Sequence, residues 1–394
     1  MIALTVTATL RAPVHLGAKN TGAYFMNSLR FIPGRSLLGA AAWACLDRGD
    51  DPAEPTFQRR FISGDVSWGD LLPVPLESHG GGPLDAMPML APRTAKTCKL
   101  FGLDHGCADT LLSVGGHGGE CTRDVGSGQC GAGLKRMDGV VAVSGANELR
   151  AVRRPALGYR THLAVGFETG SARHGYLYSR EVLQEGQVFR GQIKCCNADA
   201  ADELRADLQE LPLAVGQGRS RGYGLLEIDV QLDPAAPLTV DEITRCSDSL
   251  AERYEGARYG DQARSGARYF TLTAASAWCV RTPDGGYHRA LSSARLAQLL
   301  DVDPSTIDVV AGDMRAETRS GWDGAAGLPI EVRHFIVAGS TLLCRTTGLA
   351  DQDLVTRLGE ILSRGIGDHR LEGLGRVVVN HPLHVAHRED YSDH

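Results

Sequence analysis

The stretch LAVGQGRSRGYGLLEI, residues 213–228, decides the predicted fold. Its glycines are too frequent for the interior of a helix or a strand, and they are Gly216, Gly218, Gly222 and Gly224. The apolar residues of the preceding segment 200–211 recur at helical spacing, whereas segment 225–230 is typical of a strand. The sequence therefore predicts a glycine-rich loop that joins a helix to a strand and carries Arg219 and Arg221.

The order of these elements excludes two nucleotide-binding motifs. A dinucleotide-binding fingerprint places its glycines after a strand and before a helix, which is the reverse of the order predicted here. A phosphate-binding loop of the Walker type needs a Gly-Lys-Ser or Gly-Lys-Thr sequence, and this stretch has none. The loop therefore belongs to another class of structure.

Length and composition are those of a multidomain globular protein. A chain of 394 residues is long enough for two or three domains, each with its own core. Its net charge of −6 disfavours nucleic-acid binding through bulk charge, and no apolar run approaches the roughly 18 residues of a membrane span. The N-terminal segment 2–10 alternates apolar and polar residues, which predicts a strand rather than a signal peptide. We therefore expect a cytoplasmic protein.

The helix–loop–strand pattern occurs twice along the chain. A second predicted helix, 351–362, runs into the glycine- and arginine-bearing segment SRGIGDHRLEGLGRVVVN and an apolar strand. Each unit has the order strand, helix, strands, second helix, glycine-rich loop, closing strand, which predicts two ferredoxin-like βαββαβ domains of α+β class. We predict domains at 1–232 and 267–394, joined by a charged linker at 233–266.

A predicted helix at 37–46 is preceded by a Pro33-Gly34 turn, with Ser36 as its N-cap. Its free backbone N–H groups, beside Arg35, suit an anion. An ordinary capped core helix explains the same pattern equally well.

The first domain contains a glycine-rich insertion, residues 93–134, with little apolar periodicity. It holds Cys98, Cys107, Cys121 and Cys130, spaced Cys-x8-Cys, then thirteen residues, then Cys-x8-Cys. Four cysteines in a segment without a core predict a structural zinc site, since tetrahedral thiolate ligation supplies the missing stabilisation. The tight Cys-x2-Cys spacing is missing, and His105 or His117 can substitute as ligands; unligated thiols in a mobile insertion are the alternative.

Several motifs together carry a resemblance to a known family. They are APVHLG at 12–17, FIPGRSLLGAAAWACL at 31–46, LYSREVLQEGQVFRGQI at 177–193, GQGRSRGYG at 216–224, ETRSGWDGAAGLPIEVRHFIVAGSTLLC at 317–344 and GIGDHRLEGLGRVVV at 365–379. The chain resembles the RAMP superfamily of CRISPR-associated proteins over nearly its whole length. RAMP proteins are built from ferredoxin-like, RRM-like domains with a glycine-rich loop between the last helix and the last strand.

The two domains, the SGWD…GLP…AGS run and the cysteine-bearing insertion are most similar to one subgroup. This is the two-domain subunit that caps the 5′ handle of crRNA in type III effector complexes, especially those of subtype III-D. The resemblance implies a non-catalytic subunit that grips the repeat-derived 5′ tag and joins the large signature subunit to the backbone RAMP subunits in antiviral defence.

The chemistry of the loops agrees with RNA binding. Glycines let the backbone approach a sugar–phosphate chain, arginines add charge-assisted contacts, and Tyr223 can stack a base. The residues predicted to contact RNA are Arg35, Ser36, Gly216, Gly218, Arg219, Ser220, Arg221, Gly222, Tyr223, Gly224, Arg364, Gly365, Gly367, His369, Arg370, Gly373, Gly375 and Arg376. Alternatively, Arg221 and Tyr223 pack over the sheet, and the second loop, diluted by Asp368 and Glu372, serves a protein interface.

Enzymatic alternatives remain open. Some RAMP proteins are metal-independent endoribonucleases with a histidine as general acid/base, and His15, His162 and an assisting Tyr24 are the candidates here. Metal-dependent cleavage by an aspartate would draw on Asp65 or Asp85, but no acidic pair is distinctive. A stand-alone zinc-bearing interaction module would leave both glycine loops unexplained.

Overall fold

The structure is a computed structural model of the chain. It describes residues 2–18, 24–74, 87–112, 119–126, 128–137, 139–143, 149–152, 154–166, 168, 170–233, 237–258, 266–323 and 327–385. Two residues singled out in the sequence, Asp85 and His117, lie outside these ranges.

Within the described residues, the α-helices are α1 (Gly34–Arg48), α2 (Pro55–Phe61), α3 (Ala198–Glu210), α4 (Val240–Arg258), α5 (Ser293–Leu300), α6 (Asp351–Arg364) and α7 (Pro382–Val385). Short 3-10 turns lie at Arg219–Arg221, Pro304–Thr306 and Arg370–Glu372. The strands are β1 (Ile2–Leu10), β2 (Phe25–Met26), β3 (Val66–Trp68), β4 (Leu72–Pro73), β5 (Met87–Leu90), β6 (Ala95–Cys98), β7 (Gly102–Asp109), β8 (Leu134–Arg136), β9 (Val140–Val143), β10 (Leu149–Val152), β11 (Leu157–Val165), β12 (Ala172–Leu183), β13 (Val188–Cys195), β14 (Leu213–Ala214), β15 (Leu225–Asp233), β16 (Ala267–Ala274), β17 (Ile307–Asp313), β18 (Ala316–Asp323), β19 (Leu328–Ile336), β20 (Thr341–Thr347) and β21 (Val377–Val379). This mixture of helices and strands confirms the predicted α+β class.

The chain divides into two compact units. Unit 1 comprises residues 1–88, 152–235 and 371–373, and unit 2 comprises residues 89–151, 236–370 and 374–394.

The main sheet of unit 1 has the strand order β14-β15-β1-β13-β3, with β4 also paired to β13. The first strand, β1, is central and pairs antiparallel with both β13 and β15. Its strict alternation explains this position, because Leu4, Val6, Ala8 and Leu10 are fully buried while the intervening threonines are not. Helix α3 packs its buried Leu204 and Leu208 into the same core.

The main sheet of unit 2 has the order β17-β20-β16-β21, so that β16, the first of these four strands along the chain, lies between the third, β20, and the fourth, β21. All three pairings are antiparallel. Helices α5 and α6 cover a core that includes Phe270, Leu296 and Leu358. In both units the strand order is the one that a βαββαβ connection produces.

The structure differs from the predicted domain boundaries at the cysteine-bearing insertion. Residues 89–151, expected to extend the first domain, belong to unit 2. The reason is apolar contact: Leu111 and Leu112 are buried in a cluster with Leu250, Tyr254 and Tyr269 of unit 2.

The segment 233–266, predicted as a linker, also differs. Most of it forms the 19-residue helix α4, whose Ile243 and Leu250 are fully buried in unit 2. Its many charges lie between these apolar positions, so the segment is an amphipathic helix rather than a linker. None of the helices in the described residues combines the length and the apolar character needed to cross a bilayer.

Candidate nucleic-acid interface

The glycine-rich loop of unit 1 follows α3 and leads into β15, as the sequence predicts. It is closed by three backbone hydrogen bonds: Gln217 N–H donates to His15 O at 2.9 Å, Gly224 N–H to Pro13 O at 2.9 Å, and Val215 N–H to Gly224 O at 3.0 Å. All four glycines have positive φ, which explains their frequency. The loop is therefore fastened to the segment that follows β1.

This fastening limits how the loop can hold an anion. Besides Gln217 and Gly224, the N–H groups of Arg221, Gly222 and Tyr223 donate to carbonyl oxygens within the loop. Among residues 215–224, backbone hydrogen bonds thus occupy six N–H groups, whereas those of Gly216, Gly218, Arg219 and Ser220 have no backbone acceptor within the described residues. The exposed side chains of Arg219, Ser220 and Arg221 are what the loop presents to solvent.

Trp43, which the sequence analysis did not single out, lies beside the loop. Its indole is 60% exposed on α1, and the guanidinium carbon of Arg219 lies 5.9 Å from the ring centre. An open cleft of about 860 Å³ lies between α1 and the loop, lined among others by Ala40, Trp43, Gly218 and Ser220. Trp43 is not among the buried residues of α1, and the apolar residues of this helix show no periodicity in the sequence that would have set Trp43 apart.

On the hairpin formed by β11 and β12, aromatic and cationic side chains gather next to the loop. His162 faces Tyr178 across the hairpin, and their rings stack at 5.2 Å with a 21° interplanar angle. Tyr223 lies 6.3 Å from His162, and the Arg180 guanidinium lies 5.3 Å from the Tyr178 ring. Burial, with help from Arg180 and Arg221, lowers the pKa of His162. We call His162, Tyr178, Arg180, Arg221 and Tyr223 the aromatic–arginine cluster.

His15, a candidate catalytic residue, is buried. Its Nδ1 hydrogen-bonds the carbonyl oxygen of Glu181 at 2.7 Å, and burial lowers its pKa. The Glu181 carboxylate in turn accepts the Ser28 N–H at 3.0 Å. A side chain that is 1% exposed and bound to backbone holds two segments together rather than facing a substrate.

Of the other candidates in the described part of the chain, Asp65 lies at the turn before β3, whereas Tyr24 lies next to β12, beside the aromatic–arginine cluster. Asp65 accepts a hydrogen bond from Ser63 at 2.8 Å at the turn before β3. Tyr24 is 63% exposed, and its carbonyl oxygen accepts the Ser179 N–H at 2.9 Å.

Helix α1 begins earlier than predicted, at Gly34, and Pro33 rather than Ser36 is its N-cap. The Gly34 N–H donates to the Asp70 carboxylate at 2.8 Å. A carboxylate of the chain itself therefore already lies at this helix N-terminus, where Arg35 and a bound anion were considered.

The second glycine-rich loop, at 365–375, repeats the three hydrogen bonds that close the first loop. Asp368 N–H donates to Cys279 O at 2.8 Å, Gly375 N–H to Ala277 O at 2.9 Å, and Ile366 N–H to Gly375 O at 2.7 Å. Gly365, Gly367, Gly373 and Gly375 all have positive φ. The internal repeat predicted from the sequence is thus visible in the hydrogen bonds of both loops.

The charges of the second loop are partly neutralised within unit 2. Asp368 forms an ion pair with Arg281 at 3.0 Å. His369 lies 3.5 Å from Arg333, and Arg370 donates to the carbonyl oxygen of Arg364 at 3.3 Å. The carbonyl oxygen of Arg376 accepts Trp278 Nε1–H at 2.9 Å. Unlike the first loop, this one carries the acidic residues Asp368 and Glu372 among its arginines, so its charge is mixed.

In the insertion, the structure brings together three of the four predicted cysteine ligands. Ligand atoms of Cys98, Cys121, Cys130 and His105 all lie within 4.8 Å of one another. Cys107 is not among them: its thiol lies 3.9 Å from the Met137 sulfur, and burial, followed by Asp109, raises its pKa to about 12. The physical reason lies in the β6–β7 pairing. Cys107 is opposite Thr97, so that the neighbouring Cys98 faces the other side of the sheet, whereas His105 falls in the irregularity of this pairing, where strict alternation does not hold. His105, named as a substitute, takes the fourth place.

Among curated sequences, no protein matches this chain. A chain of the structure described as a type III-B Cmr-β complex bound to cognate target RNA and AMPPnP is 12% identical, with a TM-score of 0.41 and 86% of each chain covered. A structure described as CRISPR-associated protein Cas6 is 9% identical, with a TM-score of 0.33, covering 96% of this chain and 98% of that one. At these scores neither likeness decides fold or function. The sequence model of the RAMP superfamily, however, matches residues 7–227, more than half of the chain, and the protein therefore belongs to the RAMP superfamily.

Proposed function

We propose that this RAMP protein is a non-catalytic crRNA-binding subunit of a type III CRISPR interference complex. In this role it grips the 5′ repeat-derived tag and bridges the large signature subunit to the backbone RAMP subunits. One observation carries the RNA-binding part: an exposed, arginine-bearing glycine loop lies directly beside the aromatic–arginine cluster in unit 1. The assignment to a type III complex, the recognition of the 5′ tag and the bridging of subunits rest on membership of the RAMP superfamily and on the resemblance in the sequence.

The phosphate contacts are assigned to side chains. Arg219 and Arg221 are exposed on the loop, and six of the ten backbone N–H groups of residues 215–224 are already hydrogen-bonded, so we assign the main phosphate contacts to the two guanidinium groups. Guanidinium forks suit phosphate oxygens, because they offer paired donors in a planar arrangement. A chain with a net charge of −6 then binds RNA through a local cationic surface rather than through its overall field.

The base contacts are assigned to the aromatic rings. Tyr223 and the stacked pair His162–Tyr178 offer flat faces next to Arg180 and Arg221. Single-stranded RNA is held by such stacking, with a typical contribution of about 1–3 kcal/mol per base. In this proposal His162, whose pKa is lowered by burial, acts as a neutral stacking ring and not as an acid.

For the second loop we propose contact with a neighbouring protein subunit. Its Asp368–Arg281 pair and the Arg333–His369 contact leave a surface of mixed charge. Mixed charge with partly satisfied polar groups suits a protein interface better than a phosphate chain.

The test is binding and integrity of RNA in one experiment. The full chain is mixed with a crRNA carrying its 5′ tag and with the same RNA lacking the tag, and affinity is read by fluorescence anisotropy. Denaturing gels run with and without Mg²⁺ report cleavage. We expect tighter binding of the tagged RNA, and both RNAs intact in either buffer. Equal affinity for the two RNAs would contradict tag recognition.

The second candidate function is a metal-independent endoribonuclease. The observation that favours it is His162, whose side chain is only partly buried and lies near the positive charges of Arg180 and Arg221. Specific cleavage that His162→Gln or His15→Gln abolishes, while Tyr178→Phe leaves it unchanged, would establish this alternative. The burial of His15 argues against its direct participation.

A further inference from the structure

We propose that unit 2 binds one Zn²⁺ through the sulfur atoms of Cys98, Cys121 and Cys130 and through Nδ1 of His105. The site is independent of the proposed RNA-binding function. We call these four residues the Cys3His cluster.

The spacing of the ligand atoms fits a single tetrahedral ion. The Cys98 and Cys130 sulfur atoms lie 3.9 Å apart, and Nδ1 of His105 lies 3.4 Å from the Cys121 sulfur. Two sulfurs bound to one zinc at about 2.3 Å are about 3.8 Å apart in a tetrahedron, and a sulfur and a nitrogen are about 3.6 Å apart. The free cluster is therefore already close to the geometry that the metal requires.

Three separate segments converge to make this geometry. Cys98 ends β6, and His105 lies in β7. Cys121 and Cys130 are brought together by a turn in which Cys121 N–H donates to Ala132 O at 2.7 Å and Gly131 N–H donates to Cys121 O at 3.0 Å. Three thiols from two of these segments and an imidazole from the third meet at distances that suit a metal site, and the 3.9 Å between the Cys98 and Cys130 sulfur atoms is far beyond the roughly 2.05 Å of a disulfide bond.

A neighbouring aromatic ring holds the imidazole of the cluster in place. The Phe101 ring stacks on His105 at 4.2 Å and 20°, which fixes the orientation of the imidazole. Contacts of this kind around the ligands orient them for the metal.

The composition of the cluster selects the metal and its role. Three thiolates and one imidazole are the ligands of structural zinc, and four protein ligands leave no open position for a substrate. The ion would tie β6 and β7 to the 121–132 turn in a segment with few apolar contacts. Cys107 packs beside Met137 against a small apolar cluster that also contains Ala95. It therefore contributes to this cluster and not to the metal site.

The test combines metal analysis with X-ray absorption on the full chain purified without chelators. We expect about one zinc per chain and a first shell of three sulfurs and one nitrogen, at about 2.3 and 2.0 Å. A shell of four sulfurs would overturn the ligand set. A chain that holds iron, or that holds no zinc and takes up no Co²⁺ after reduction, would overturn the zinc site itself, as would a Cys98–Cys130 disulfide detected by mass spectrometry.

Substitutions supply the matched comparison. After dialysis against a mild chelator, His105→Ala and Cys121→Ser should retain less than about a tenth of the zinc, whereas Cys107→Ser, in the same strand as His105, should retain all of it. The reverse pattern would restore Cys107 as the ligand and refute the proposal. Because a ligand variant can also fail to fold, the absorption spectrum of the unsubstituted chain decides in that case.

Discussion

Gly216 approaches the backbone of His15 so closely that a Cβ at position 216 would collide with the His15 carbonyl oxygen. The same oxygen accepts the Gln217 N–H at 2.9 Å, so the close approach is what makes this hydrogen bond possible. Gly367 stands in the same relation to Cys279 in unit 2. Glycine at each of these positions thus lets the loop pack against the segment to which it is hydrogen-bonded, and this role does not depend on RNA.

Gly216→Ala is therefore expected to destabilise unit 1. The new Cβ meets a backbone carbonyl, and φ of +80° is unfavourable for alanine, so we expect a loss of at least about 1–3 kcal/mol in the free energy of unfolding. Urea denaturation followed by circular dichroism measures this loss.

The matched control is Gly39→Ala, in the exposed middle of α1, where no atom lies within 4 Å of the added Cβ. This substitution should raise the free energy of unfolding by about 0.5–1 kcal/mol, because alanine is the better helix former. Equal effects of the two substitutions would show that the loop is not held by the contact with His15.

Periodicity in the sequence predicted much of this arrangement. Strand Ile2–Leu10, helix Asp351–Arg364 and the helix–loop–strand context of both loops follow from apolar spacing and glycine frequency alone. The aromatic–arginine cluster did not follow from it, because His162 and Tyr178 meet only through the register of a hairpin. A single sequence does not contain that register.

The cysteine-bearing insertion shows a second limit. Spacing alone made Cys107 equivalent to the other cysteines, but a shift in the β6–β7 pairing between Thr97 and Cys98 places it on the opposite side. The same shift leaves His105 beside Cys121. Irregularities of this kind depend on local packing, which residue spacing does not encode.

Arg219→Ala combined with Arg221→Ala should weaken binding of the tagged RNA and reduce its dependence on salt. Each lost phosphate contact lowers the slope of log K against log [salt] by about 0.7 for single-stranded RNA. Anisotropy titrations at several salt concentrations measure both quantities. The control is Arg205→Ala. Arg205 lies on the solvent-facing side of α3, where it pairs with Asp202, and its loss should leave the affinity and the salt dependence unchanged. An unchanged slope in the double variant would make the loop arginines structural.

Asp207 holds three elements of unit 1 together through buried charge. Its carboxylate binds Arg48 of α1 at 2.8 Å and also contacts Arg60 of α2, which is almost fully buried. Asp207→Asn leaves the Arg60 charge without its main partner, and we expect a loss of about 3–5 kcal/mol in the free energy of unfolding. Chemical denaturation of the purified variant tests this.

The control for that variant is Asp202→Asn on the same helix. Asp202 forms only a solvent-exposed pair with Arg205 at 3.9 Å, so its loss should cost less than about 1 kcal/mol. Similar losses for the two variants would mean that burial does not determine the strength of the Asp207 contacts.

The stability of unit 2 should fall in mild acid because of His381. Burial, reinforced by the neighbouring His384 and opposed by Asp109, lowers the pKa of His381 to about 3, while the unfolded chain titrates near 6.5. The unfolded state therefore takes up the proton first, so stability is complete above pH 6.5 and declines as the pH falls from there towards 3. Between pH 7.5 and 5.5 this one group should cost about 1.4 kcal/mol.

Denaturation of the wild type and of His381→Gln at both pH values isolates this contribution. The substitution removes the titrating group, and the histidines that do not contact His381 are the same in both proteins. We expect the variant to lose about 1.4 kcal/mol less than the wild type on acidification. If both lost the same amount, the buried His381 would have to be protonated in the folded protein as readily as in the unfolded chain.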